Sequence, residues 1–139
     1  MLLQILFWLS GLFAVILGVL HFSFPRRFGY FAVLDKVQAP LAAFRLSMFE
    51  HKLTPQDMRG LMYVMNNAAS YAIVMCGVAD LASARWLGTE AGRWLAVAMA
   101  GFWLVRAGSQ FYIGHTPKNW LAAAWFAGLG VLHGVAAWV

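Results

Sequence analysis

Charge is scarce in this sequence. Of 139 residues only 11% are Asp, Glu, Lys or Arg, whereas a water-soluble domain needs roughly a quarter of its residues charged to solvate its surface. That shortage excludes an ordinary soluble globular chain. Most of the surface must face something other than water, and a lipid bilayer is the medium that fits. Cysteine is nearly absent too. The lone Cys76 excludes an intrachain disulfide, leaves the redox compartment unread and, inside an apolar run, reads as a small buried apolar residue. Also missing are a Gly-rich phosphate loop, a Ser/Cys–His nucleophile pair and HExxH, so no recognisable catalytic constellation is present, and the catalytic residues stay unassigned. The formal charge of +5 does not point to nucleic acid, because the Lys and Arg residues lie almost entirely between apolar segments, where they serve headgroup contact and orientation.

What is present is apolar: 63% of residues are hydrophobic and the mean hydropathy is +0.71. The first run, Leu2 to Phe24, is long enough to cross about 30 Å of hydrocarbon. No basic residue precedes it and no small-x-small cleavage site comes after it, so it reads as a retained helix rather than a signal peptide. Further runs cover about 61–83, 94–114 and 120–139. Their starts carry helix-entry chemistry: Thr54-Pro55-Gln56-Asp57, Thr89-Glu90 and Thr116-Pro117 each offer a Thr cap, two of them with Pro at the first helical position. The expected fold is therefore all-α, a single integral membrane four-helix bundle over residues 1–139, with helices at about 2–24, 55–83, 90–114 and 117–139. Between the first two helices, Leu41, Phe44, Met48 and Phe49 share a rough helical face opposite Arg45, Glu50, His51 and Lys52, which predicts a short amphipathic helix at the membrane surface.

The basic residues set the expected orientation. The first loop holds Arg26, Arg27, Lys36, Arg45, Lys52 and Arg59 and the third holds Lys118, while the second holds only Arg85 and Arg93. The first and third loops should then be cytoplasmic, with both termini outside an inner membrane. Small residues at Gly11, Ala14 and Gly18 and at Ala123, Ala127, Gly130 and Gly134 allow close helix approach, within the bundle or between copies.

Polar residues inside apolar runs carry the functional information. Arg106 lies near the middle of the third helix, where a charge costs at least about 2.5–3.5 kcal/mol. Gln110 comes one turn later on the same face, near Trp103. With 1.5 Å of rise per residue, His21, Asn66 and Asn67 fall at a similar depth in the cytoplasmic half, with Tyr63, Ser70 and Tyr71 close by. Arg106, Gln110, Asn66, Asn67, His21 and Tyr63 form the candidate ligand-binding set. Such a pocket suits an anionic or amide-bearing ligand, and a structural hydrogen-bond network between helices is the alternative. A second group, Gln4, Asp80 and His133, lies toward the outer face. Asp80, one turn from its helix end, is expected to reach water; His133 reads as a structural histidine, with a metal or proton site as the alternative. His21 and His133 sit about 15–20 Å apart in depth, which argues against a bis-histidine haem. Glu50-His51 with His115 matches no specific metal motif, so no metal is assigned and the cofactor is unknown. An acidic residue in the middle of the first helix, needed by small multidrug–proton antiporters, is absent.

Arg59-Gly-Leu-Met-Tyr-Val-Met-Asn66 and Val105-Arg106-Ala-Gly-Ser-Gln-Phe-Tyr112 resemble the second- and third-helix motifs of the membrane-associated eicosanoid and glutathione metabolism family, over about 80 residues. That family's further basic residues fall at Met62 and Met65 here, and its acidic residue at Ala69. The resemblance implies a trimeric four-helix protein using a thiol cofactor, with Arg59, Asn66, Arg106 and Tyr112 holding it. From the residues themselves, the leading expectation is an accessory subunit or a binder of a small or lipidic ligand, whose partners are the bilayer and either another membrane protein or copies of itself. A membrane enzyme acting on a lipophilic substrate, with or without a thiol cofactor, is the alternative.

Overall fold

Helix-entry chemistry and apolar length together account for most of the secondary structure. The computed structural model describes residues 1–27, 29, 43–46, 49–52 and 55–139; Lys36, Leu41, Met48 and the expected cap Thr54 lie outside the described residues. In chain order the elements are α1 (Leu2–His21), α2 (Phe24–Arg27), β1 (Ala43–Leu46), β2 (Phe49–Lys52), α3 (Pro55–Leu81), a single 3₁₀ turn (Ser83–Arg85), α4 (Glu90–Ile113) and α5 (Pro117–Ala136). α1 stops at His21, short of the expected Phe24, where the Ser23 hydroxyl donates to the Leu20 carbonyl at 2.6 Å. Thr89 caps α4 by accepting from the Gly92 amide at 2.9 Å, and Thr116 caps α5 by accepting from the Asn119 amide at 3.4 Å, with Pro117 opening the helix. Each such cap satisfies an amide that the helix itself leaves unpaired.

The amphipathic helix expected between α1 and α3 is not what forms. β1 and β2 pair antiparallel, with Arg45 opposite Glu50 and Leu46 opposite Phe49. Over so few residues an apolar spacing fits either period, and pairing decided it.

Among the described residues, three helices are long and apolar enough to cross a membrane: α1, the Arg59–Leu81 part of α3, and α5. Many of their exposed positions are large and apolar, including Leu9, Val64, Leu121 and Val131, as a lipid-facing surface requires. α4 is not among the three. Its 24 residues have the length, but Glu90, Arg93, Arg106, Ser109 and Gln110 dilute its apolar content.

The chain divides into two compact units, Met1–Gly11 with Ala79–Val139, and Leu12–Val78. In the first, α4 packs against α5. Trp103 meets Phe126 and Phe111 meets Trp120, so the two helices run antiparallel. Phe7, Ala96, Ala136 and Ala137 form a core with Leu3, Trp86, Leu87 and Leu132 around it. Gly92 is required at the α4 entry, because a Cβ there would collide with the Trp86 carbonyl. In the second unit, Ala14 and Ile73 are buried. A Cβ at Gly18 would meet the Val74 side chain at 2.6 Å and the Ser70 carbonyl oxygen at 3.0 Å, so α1 and α3 approach backbone to backbone there.

Candidate functional site

In the first unit, three helices bring polar groups to one buried point. Asp80, the penultimate residue of α3, and His133 of α5 are both 0% exposed. His133 Nε2 lies 2.8 Å from Asp80 Oδ1, and His133 Nδ1 lies 2.7 Å from the Leu129 carbonyl one turn back. The Ser10 hydroxyl of α1 donates to Asp80 Oδ2 at 2.6 Å. Nearby, Gln4 donates from Nε2 to the buried Ser83 hydroxyl oxygen at 2.6 Å. Phe7 seals the imidazole: its ring meets His133 edge-on at 5.2 Å between centroids and Trp86 edge-on at 5.3 Å. The Trp86 indole in turn donates to the Ala79 carbonyl at 2.7 Å, satisfying an acceptor near the end of α3. Asp80 therefore does not reach water, contrary to the expectation from its position near a helix end. The end of α3 is covered by Ser10, His133 and the aromatic pair, and burial of a carboxyl is tolerated because both oxygens have partners.

In the second unit a smaller cluster holds α1 to α3. Asn66 donates from Nδ2 to the His21 carbonyl at 3.1 Å, and the Ser70 hydroxyl donates to the Asn66 carbonyl at 2.6 Å. With its hydrogen committed, Ser70 Oγ accepts from His21 Nδ1–H at 2.9 Å. His21, Asn66 and Ser70 are all buried, and the His21 ring also packs on Phe24 at 4.5 Å.

Arg106 sits on α4 in the first unit, half-buried, with its guanidinium carbon 5.6 Å from the centre of the Phe126 ring of α5. That distance is within reach of a cation–π attraction. Trp103, one turn earlier and 0% exposed, stacks on the same Phe126 ring at 5.6 Å and 16°. Its Nε1–H is a buried donor with no acceptor among the described residues. Gln110, one turn later and buried, reaches back to the Arg106 carbonyl at 3.4 Å.

Of the six predicted ligand-binding residues, His21 and Asn66 are hydrogen-bonded to each other, and Arg106 and Gln110 share consecutive turns of α4. The two pairs belong to different units. Tyr63 is half-buried, and Asn67 is exposed. Tyr112, named by the family resemblance, is 95% exposed, while Arg59 is half-buried. His115 is exposed and stacks on Phe111 at 6.5 Å. Among the described residues no three His, Cys, Asp or Glu side chains gather as a metal site would need. Both ring nitrogens of His133 are already engaged, which leaves neither for a metal or haem iron. Ser10 escapes sequence reasoning because a serine in an apolar run has no distinguishing pattern. Ser10 does lie 70 residues from its partner Asp80, at a depth that the alternating helix directions could have matched. Comparison of the chain with protein-family models, with curated proteins and with solved structures finds no match.

Proposed function

We propose that the chain is a four-helix inner-membrane protein, α4 being the fourth span, that acts as an accessory subunit by binding an amphiphile with an anionic head through Arg106. The observation that carries this reading is the half-buried Arg106 guanidinium held over Phe126, on the same helix as the Gln110 amide and the Trp103 indole N–H, which has no acceptor among the described residues. At 1.5 Å per residue α4 reaches about 36 Å, enough to span, and Leu104 and Val105 give it an apolar exposed face. A guanidinium beside an apolar ring attracts an anionic head, and a phosphate or carboxylate matches its geometry and charge. The loops rich in Lys and Arg then lie on the cytoplasmic side and both termini outside.

The thiol-cofactor enzyme reading finds less support. Asn66 spends a donor on the His21 carbonyl, and Tyr112 stands almost fully exposed. The test is native mass spectrometry of the wild type and Arg106→Leu, both purified in mild detergent with added phosphatidylglycerol. Several-fold weaker lipid retention by the variant is expected. Full retention with unchanged thermal unfolding would leave Arg106 without a binding role. A thermal shift with millimolar glutathione would move the conclusion to the enzyme; none is expected.

A further inference from the structure

We propose that Asp80 and His133 form a proton-binding site, with one proton held between His133 Nε2 and Asp80 Oδ1 and clasping α1, α3 and α5. Counting hydrogens leads there. The Leu129 carbonyl can only accept, so His133 Nδ1, 2.7 Å away, carries a hydrogen. A neutral imidazole has a single N–H. With that hydrogen on Nδ1, Nε2 presents a lone pair, and an ionised Asp80 Oδ1 presents lone pairs as well. Two such atoms at 2.8 Å, on groups wholly shielded from water, would repel. The contact therefore contains a proton, as imidazolium with carboxylate or as imidazole with carboxylic acid. The Ser10 hydroxyl, 2.6 Å from Oδ2, is compatible with both.

The binding step balances simply. One proton arrives from hydronium, which becomes water, and one N–H or O–H bond forms. The pair passes from a net charge of −1 to neutral, which removes an isolated charge from a dry site. Among the described residues, no other charged side chain is in contact with the pair. α1 contributes Ser10 and Phe7, the 3₁₀ turn and its C-cap contribute Ser83 and Trp86, and α4 contributes Ala96, while Arg85, Glu90 and Arg93 are exposed. Ionisable pairs inside membrane segments are where protons are stored and passed, and this one lies beside the α3–α4 connection, one residue from the end of its helix.

The experiment is solid-state NMR on the full ¹⁵N,¹³C-labelled chain in bilayers near neutral pH, with His133 and Asp80 assigned by sequential correlation. His133 Nδ1 should be protonated, and Nε2 should be shifted toward its protonated position, with a correlation through the shared hydrogen to Asp80. An imidazole protonated only at Nε2, or a bare Nε2 beside an ionised Asp80 carboxylate, overturns the proposal from the wild-type spectrum alone. In Asp80→Asn the amide can itself donate to Nε2, so the ring should become neutral with Nε2 bare. A ring that stays protonated on both nitrogens in that variant also overturns it.

Discussion

Two histidines buried among the described residues, one in each unit, solve the same local problem with different partners. Both give Nδ1–H to an oxygen: His21 to the Ser70 hydroxyl, His133 to the Leu129 carbonyl. His21 is thereby tied to neutral groups of α3, with Asn66 donating to its carbonyl and Ser70 donating to the Asn66 carbonyl. His133 faces a carboxyl on its other nitrogen, so its site cannot be completed without an added proton. The difference teaches that burial alone does not make a histidine chemically interesting; the character of the second partner does. A neutral network of the His21 kind is glue, worth little beyond what its atoms would lose by exposure. An acid–imidazole pair in the same surroundings is a site with a ligand.

The strongest way to break this comparison is His133→Leu, which leaves the Asp80 carboxyl in an apolar pocket with only Ser10. A loss of about 3–5 kcal/mol is expected, measured by denaturant unfolding in detergent, and the Asp80→Leu/His133→Leu double variant should recover most of it. If the single variant costs no more than a neutral network does, the two histidines are equivalent after all. Next comes Gly18→Ala beside the His21 cluster. Its Cβ meets Val74 and the Ser70 carbonyl, so the helices must part, at about 1–3 kcal/mol in the same assay. The smallest effect belongs to Ser70→Ala, which removes the acceptor of His21 Nδ1–H and should cost about 1–2 kcal/mol. That variant should leave the NMR signals of His133 unchanged.

Much of the helical skeleton was legible because its signals are local. Thr89, Thr116 and Pro117 announce helix starts through bonds made within three residues, and an apolar run announces a helix that faces lipid. The β1–β2 hairpin was not legible, since an apolar spacing such as that of Phe44 and Phe49 fits more than one periodicity and only the cross-strand register distinguishes them. The site divides similarly. Arg106 and Gln110 could be found from their spacing on one helix. Gln4, Asp80 and His133 could be grouped by depth, but nothing in the sequence tells that Asp80 turns inward to meet His133, because helix rotation is fixed by long-range packing. Trp103 was visible only as a large apolar residue; that its N–H lacks an acceptor among the described residues depends on every neighbour at once.

Trp86 does two jobs with a single ring system: its N–H closes the end of α3 through Ala79, and its edge contact fixes Phe7 against His133. Phenylalanine would retain the flat surface and drop the donor, whereas histidine or glutamine would retain a donor and drop the breadth of the indole. None of these three replacements keeps both contacts. Among descendants of this chain, a change there should survive only alongside a compensating change at Phe7 or in the 82–89 connection.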